Sequence, residues 1–233
     1  MKNQLRRLAR NYLTTHNTIR YRVELRVIEA IVKDELQSRL GESVLDAGAG
    51  SGEMGKRLAE KGFIEKLTGI EPFHIEPLKE NYSSLAGAEA VHGSLEKMPF
   101  EDESFDGVLS TQVFEHIEDH EAAAGEVGRV IKKGGHALVS TPHPPEIYDN
   151  PRHVRPGYTE SEMKALFEPH GLELIETRYF LTLPTFEKLI SVRTLPFGGI
   201  YYPSAWVDLE KGQSDSERAE RQPYGIACLF VKK

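Results

Sequence analysis

The sequence predicts an α/β protein built on a doubly wound, mainly parallel sheet. Three observations carry that reading. Short apolar runs alternate with helix-period segments through the middle of the chain, the pattern of repeated βα units. The run Val44-Leu45 ends in Asp46, and Gly48, Gly50 and Gly52 follow at alternate positions before a helical face of Met54, Leu58 and Ala59. Strand, glycine turn and helix open a nucleotide-binding unit, because missing Cβ atoms allow a tight turn and a close ligand approach. The last two extended runs, 172–180 and 225–232, read instead as an antiparallel edge.

The elements follow in order. Residues 1–23 hold no Asp or Glu but carry Lys2, Arg6, Arg7, Arg10, Arg20 and Arg22, with Leu5, Leu8 and Tyr12 at helical spacing on the other face. A lid helix packed on the domain is the preferred reading; an organellar transit peptide or a helix in weak contact with a membrane surface has the same pattern. A second helix has Val23, Val27, Ile28, Ile31 and Val32 on one face and closes at Gly41. Strands are expected at 43–47, 66–70, 89–92, 105–110 and 136–141, with helices at 52–61, 75–85 and 119–132 between them. Thr159, with Glu162 three residues on, is the capping box of a helix reaching Phe167. The stretch 211–222, KGQSDSERAERQ, reads as an exposed loop. Four segments result: 1–40, lid helices; 41–180, core; 181–224, a cap insert; and 225–233, the last strand of the core sheet.

Composition sets bounds. At 233 residues and a net charge of -7, the chain can bury one sizeable core, and a nucleic-acid backbone is not its expected partner. The single cysteine, Cys228, rules out an internal disulfide framework and a CxxC site. No apolar run reaches the roughly 18 residues of a membrane span, so a cytoplasmic location is expected.

Two ligands compete for the glycine turn. Gly50 to Gly55 reads GxGxxG, and Glu71 stands where a dinucleotide fold places its ribose-binding acid. Against a diphosphate stand Asp46, directly before the turn, and Glu53 in the first turn of the next helix. No Lys or Arg occurs from 43 to 55, so a cationic ligand is favoured. S-adenosylmethionine is such a ligand, with a sulfonium, an ammonium and no phosphate.

Leu45-Asp46-Ala47-Gly48-Ala49-Gly50-Ser51-Gly52 resembles the LDxGxGxG motif of the class I S-adenosylmethionine-dependent methyltransferases, of the small-molecule and lipid type. The resemblance extends over about residues 41 to 180. It implies a Rossmann-like, seven-stranded sheet whose last strand inserts antiparallel beside the fifth. It also implies cofactor contacts from Asp46, Gly48, Gly50 and Gly52, and a ribose acceptor in Glu71. Pro72, with Phe73, offers apolar surface to the adenine. Gly93-Ser94-Leu95-Glu96-Lys97-Met98-Pro99-Phe100 is similar to the family's GDAExLPF loop, with Ser94 in place of the usual Asp, so adenine contacts fall to Ser94 and the Leu95 N–H. Thr111 and Gln112, after the fourth strand, come beside the methionine end. S-adenosyl-L-homocysteine would be the product.

Methyl transfer from a sulfonium needs alignment more than acid–base chemistry, so catalytic residues are weakly marked. His116 follows the fourth strand on the active face. The loop after the fifth strand, braced by prolines, carries His143, His153, Arg155 and Tyr158, able to orient an acceptor or take a proton. A metal is not expected, since no carboxylate–histidine cluster shows ligand spacing along the sequence. Tyr201 and Trp206 in the insert, and Tyr21 and Arg22 in the lid, are acceptor-side candidates; the insert's aromatics fit equally a dimer contact, leaving monomer and homodimer open. The reading is a methyltransferase for a small-molecule or lipid-like acceptor. Its rivals are a non-catalytic S-adenosylmethionine-binding protein and a NAD-dependent dehydrogenase.

Overall fold

The computed structural model describes residues 16–147, 150–187, 210 and 212–233. The basic stripe of residues 2–10 and most of the insert, with Tyr201 and Trp206, lie outside the described residues. The chain runs α1 (His16–Glu35), β1 (Gly41–Ala47), α2 (Glu53–Glu60), β2 (Ile64–Glu71), α3 (Ile75–Tyr82), β3 (Ala88–His92) and β4 (Phe105–Thr111). After a single 3-10 turn, Phe114–His116, come α4 (His120–Val130), β5 (Ile131–Pro142), α5 (Glu160–Phe167), β6 (Leu172–Thr182), α6 (Asp215–Ala219) and β7 (Pro223–Lys232).

The seven strands form one sheet in the order β3-β2-β1-β4-β5-β7-β6. Pairs through β5 are parallel, and β7 inserts antiparallel between β5 and β6. Strand order reverses between β1 and β4, which opens a crevice at their carboxyl ends, the position where an open α/β sheet binds its ligand.

Period-2 alternation sorts each strand's side chains between two helical layers. Val44, Leu109, Leu138, Ala227 and Leu229 face α1, α2 and α3, where Val23, Ile28, Ile31, Val32, Met54, Leu58 and Leu78 meet them. Their neighbours Leu45, Val108, Ala137, Val139, Cys228 and Phe230 face α4 and α5, against Ala123, Val127, Met163, Leu166 and Phe167. All of these are buried, and strands covered on both faces read as continuous apolar runs.

Three expectations need correction. Gly41 does not close a helix; α1 ends at Glu35 through left-handed Gln37 and Ser38, and Gly41 starts β1, where a Cβ would stand 3.0 Å from that of Asp106. The crossover helix α4 stops at Val130 and the strand begins at once with Ile131, which pairs with Phe105. The stretch 211–222 is not wholly loop: Ser214 accepts from Glu217 N and Glu217 reaches back to Ser214 N, a capping box that starts α6. The S-x-x-E signal was present in the sequence.

The capping box of Thr159 and Glu162 forms as the sequence predicts. Thr159→Ala should therefore lower stability by about 1 kcal/mol, and Thr159→Ser should leave it near wild type, as read from urea unfolding midpoints.

Candidate active site

The turn after β1 uses its glycines for different ends. Gly48, Gly50 and Gly52 all have positive φ. A Cβ on Gly48 would meet Val113 Cγ1 at 2.5 Å, and one on Gly52 would meet Tyr82 Cε1 at 2.3 Å. Those two are packing requirements. Gly50 faces open space, with nothing within 4 Å of such a Cβ. Its N–H donates to Glu71 Oε2 at 2.9 Å, while Glu71 Oε1 accepts from Phe73 N at 2.9 Å and His74 N at 3.1 Å. A buried carboxylate thus borders a bare stretch of main chain. Each of its oxygens can accept more than one donor, so a diol at this edge still finds acceptors.

Asp46 is turned inward. It accepts from Tyr82 Oη at 2.9 Å and from the Gly55 N–H, and burial pushes its carboxyl up to about 6. Its part in the site is charge and support beneath the turn. Pro72 is half-buried and its carbonyl accepts from His92 Nε2; Phe73 beside it is 84% exposed. The Ser94 hydroxyl donates to the Glu96 carboxylate rather than facing the crevice unengaged, and the Leu95 side chain is buried in the core. Arg129 holds this loop by donating to the carbonyls of Met98 and Phe100.

At the end of β4, Thr111 is half-buried and Gln112 adopts φ 56, a region non-glycine residues seldom occupy. Gln112 N donates to the Ser140 carbonyl at 2.8 Å, and its side-chain amide donates to Glu24 at 3.0 Å. Glu24 was missed in the sequence. It is buried, and it also accepts from Ser140 Oγ at 2.6 Å and pairs with Arg20 at 3.3 Å. The signal was an acid inside the apolar stripe of α1. Tyr21, expected on the acceptor, donates instead to the Glu53 carbonyl at 3.0 Å, and burial raises its phenol. Arg22 is half-buried on the same helix.

The histidines separate into two places. His116 and His153 stack edge to face with centroids 4.8 Å apart. His116 Nδ1 donates to the Arg152 carbonyl at 2.9 Å, and burial lowers its pKa. His153 sits between Glu146 and the Asn150 amide. Glu115 adjoins the pair; it is buried, neither carboxylate oxygen has a hydrogen-bond partner, and burial pushes it up to about 8. The sequence expectation that no carboxylate–histidine group assembles is thus corrected, because His153 arrives from a distant loop. His143 is elsewhere, its ring 5.5 Å from Tyr179 of β6, with burial lowering its pKa.

Two more candidates are braces. Tyr158 is buried, with its hydroxyl 2.6 Å from His120 Nδ1 and 3.3 Å from the Phe114 carbonyl, and burial raises it to about 12. Arg155, expected to orient an acceptor, donates to the carbonyls of Phe114, Ile117 and Glu118. Both also line a surface cavity with His120, Pro144 and Glu162.

A family model described as "Methyltransferase domain" matches residues 45–139, the span from the end of β1 into β5. The chain is 27% identical over 176 residues to the biotin biosynthesis bifunctional protein BioHC of Teredinibacter turnerae, covering 66% of this chain and 31% of that one. It is 30% identical over 141 residues to a demethylmenaquinone methyltransferase of Staphylococcus aureus, covering 58% of each. The uncharacterized methyltransferase YcgJ of Bacillus subtilis is 29% identical over 152 residues, covering 58% of this chain and 59% of that one. The YcgJ crystal structure matches with a TM-score of 0.56 at 22% identity, over 84% of this chain and 93% of that one. Residues 45–139 thus match a methyltransferase domain, and the relatives include a probable S-adenosylmethionine-dependent methyltransferase of Mycolicibacterium smegmatis, 30% identical over 145 residues, covering 59% of this chain and 54% of that one. It spans only 31% to 59% of the length of the first curated relatives it matches.

S-adenosylmethionine is the cofactor of the methyltransferases that this chain resembles, and the residues present fit it: an uncovered cradle at Gly50, an acid at the end of β2 and no cation within the turn. Among the described residues no helix is long and apolar enough to cross a membrane.

Asp46 generates a pH prediction. Its folded-state pKa stands at about 6 against an ordinary 3.8, so between those values the folded protein holds a proton that the unfolded chain has released. Stability then falls as pH rises through that window, by about 3 kcal/mol for a shift of roughly two units. Asp46→Asn should remove that part of the decline, as read by comparing urea midpoints of the two proteins from about pH 4 to about pH 7.

Proposed function

We propose that this methyltransferase binds S-adenosylmethionine across Gly50 and transfers its methyl group, by in-line displacement, to a small-molecule or lipid-like acceptor. The observation that carries the reading is the bare main chain at Gly50, hydrogen-bonded to a buried carboxylate at the end of β2. Carboxylates at the switch point of the sheet favour a cationic sulfur compound over a diphosphate. The cofactor supplies an electrophilic methyl group held on a sulfonium.

The protein's own residues do the rest. Glu71 takes the ribose hydroxyls and fixes the cofactor's long axis. Gln112, locked by Ser140 and Glu24, presents its main chain to the methionine end. Helix α1 serves as a lid, held on the crevice by Tyr21 and Glu24, and excludes water from the reacting atoms. Glu115, His116 and His153 form the polar end of the acceptor pocket. The relative named for demethylmenaquinone supports an acceptor with apolar bulk.

The glycines supply the test. Gly50 and Gly62 both have positive φ and open space for a Cβ, so alanine at either should cost about 1 kcal/mol of stability. In calorimetry with S-adenosylhomocysteine, Gly50→Ala should weaken binding by about tenfold or more and Gly62→Ala should not. Equal effects of the two, or tight binding of NAD, would overturn the reading.

A further inference from the structure

We propose that Glu115, His116 and His153 bind a divalent first-row transition-metal ion at the acceptor end of the crevice. One ligand atom from each of the three lies within 4.8 Å of the others. Atoms sharing an ion at bonds of about 2.1 Å stand about 3.4 Å apart in tetrahedral geometry, so binding draws the group inward by an ångström or so. The side chain of His116 is 37% exposed and has room to make that movement.

The second observation is the carboxylate. Glu115 is only 1% exposed at its side chain, yet neither oxygen accepts a hydrogen bond. A buried acid without donors is costly, and a cation is the group that satisfies both oxygens at once. His116 Nε2 stands 3.8 Å from its Oε1. Because the Arg152 carbonyl can only accept, His116 carries its proton on Nδ1 and leaves the Nε2 lone pair toward Glu115. That tautomer and that brace are what a metal-bound imidazole requires.

His153 shows the same arrangement from the other side. One ring nitrogen faces the Glu146 carboxylate, which orders the ring; the other takes the Asn150 amide at 2.8 Å, the contact an entering ion displaces. Glu24 and Glu146 add negative potential around Glu115, opposed by Arg20. Two imidazoles and one carboxylate suit Zn2+ and its first-row neighbours rather than Mg2+ or Ca2+, which prefer all-oxygen shells. Three protein ligands leave a position open toward the crevice. That an acceptor oxygen fills it rests on the proposed function; ion binding itself does not.

The test is calorimetric titration of Zn2+ into the chelator-treated full chain, with S-adenosylhomocysteine binding measured on the same samples. Wild type should take up one ion, and His116→Gln, His153→Gln and Glu115→Gln should each weaken it by about tenfold or more. Cobalt(II) should give visible d–d bands in wild type that the variants lose. His116 is exposed, so His116→Gln keeps its fold, which retained S-adenosylhomocysteine binding will report. Wild type that binds S-adenosylhomocysteine but no Zn2+, or an ion held equally by all three variants, overturns the site. Failure of the cofactor reading would show differently, as ion uptake without S-adenosylhomocysteine binding.

Discussion

The main chain at Gly50 must stay uncovered while its N–H is satisfied, and much of the surrounding structure follows from that requirement. The parallel register of β1 and β2, Ala47 opposite Ile70, delivers Glu71 to the turn at the one height where it can accept from Gly50. Support comes from below. Tyr82 of α3 lies across Gly52 and Gly69, where a Cβ would stand 2.3 Å and 2.9 Å from its ring, and its hydroxyl reaches Asp46 beside Gly55. Three glycines are therefore the seat of one tyrosine. The turn is held by packing and two carboxylates, and no side chain needs to enter the space above it.

Buried acids recur along this edge of the sheet, and they differ in what satisfies them. Asp46 has a phenol and an amide, Glu71 has three amides, and Glu24 has a hydroxyl, a side-chain amide and a guanidinium. Each of these acids ties one element to another: α3 to β1, β2 to the glycine turn, and α1 to the ends of β4 and β5. Glu115 ties nothing. Burying an acid with its donors contributes to one unique arrangement, whereas burying one without them costs stability. The contrast separates structural carboxylates from one kept for a ligand.

Most of the fold could be read from the chain, because alternation, glycine turns and capping boxes are local signals. The strands from β1 to β7, the box at Thr159 and the antiparallel return all formed where those signals stood. The misses have physical causes. Gln37 and Ser38 turned the chain in left-handed conformations that no glycine announced, so Gly41 drew the boundary instead. The cofactor cradle was legible as a contiguous motif, although the direction of Asp46, inward to Tyr82, depends on a residue 36 positions away. The acceptor end was the least legible. Tyr158 and Arg155 have the chemistry of substrate ligands, yet their partners are carbonyls and a ring supplied by the turn at Phe114–His116 and by His120. Polar residue type gives no warning of such long-range bonding.

That bonding explains why, of the two loop histidines His143 and His153, only His153 meets His116. The segment after β5 is stitched to the turn after β4: Val154 N donates to the Glu115 carbonyl, and the His116 ring donates through Nδ1 to the Arg152 carbonyl. Arg155 closes the seam through the Phe114 and Ile117 carbonyls. The loop and the turn are tied together at several points, so the spacing of Glu115, His116 and His153 does not depend on contacts among their own side chains alone. Its members are presented together without having to attract one another. A group assembled by its own contacts would collapse into them; a group assembled by its scaffold remains open to a third party. His143 leaves β5 before that seam begins and packs against Tyr179 on the far side of β7, which sets it apart from the trio by position rather than by kind.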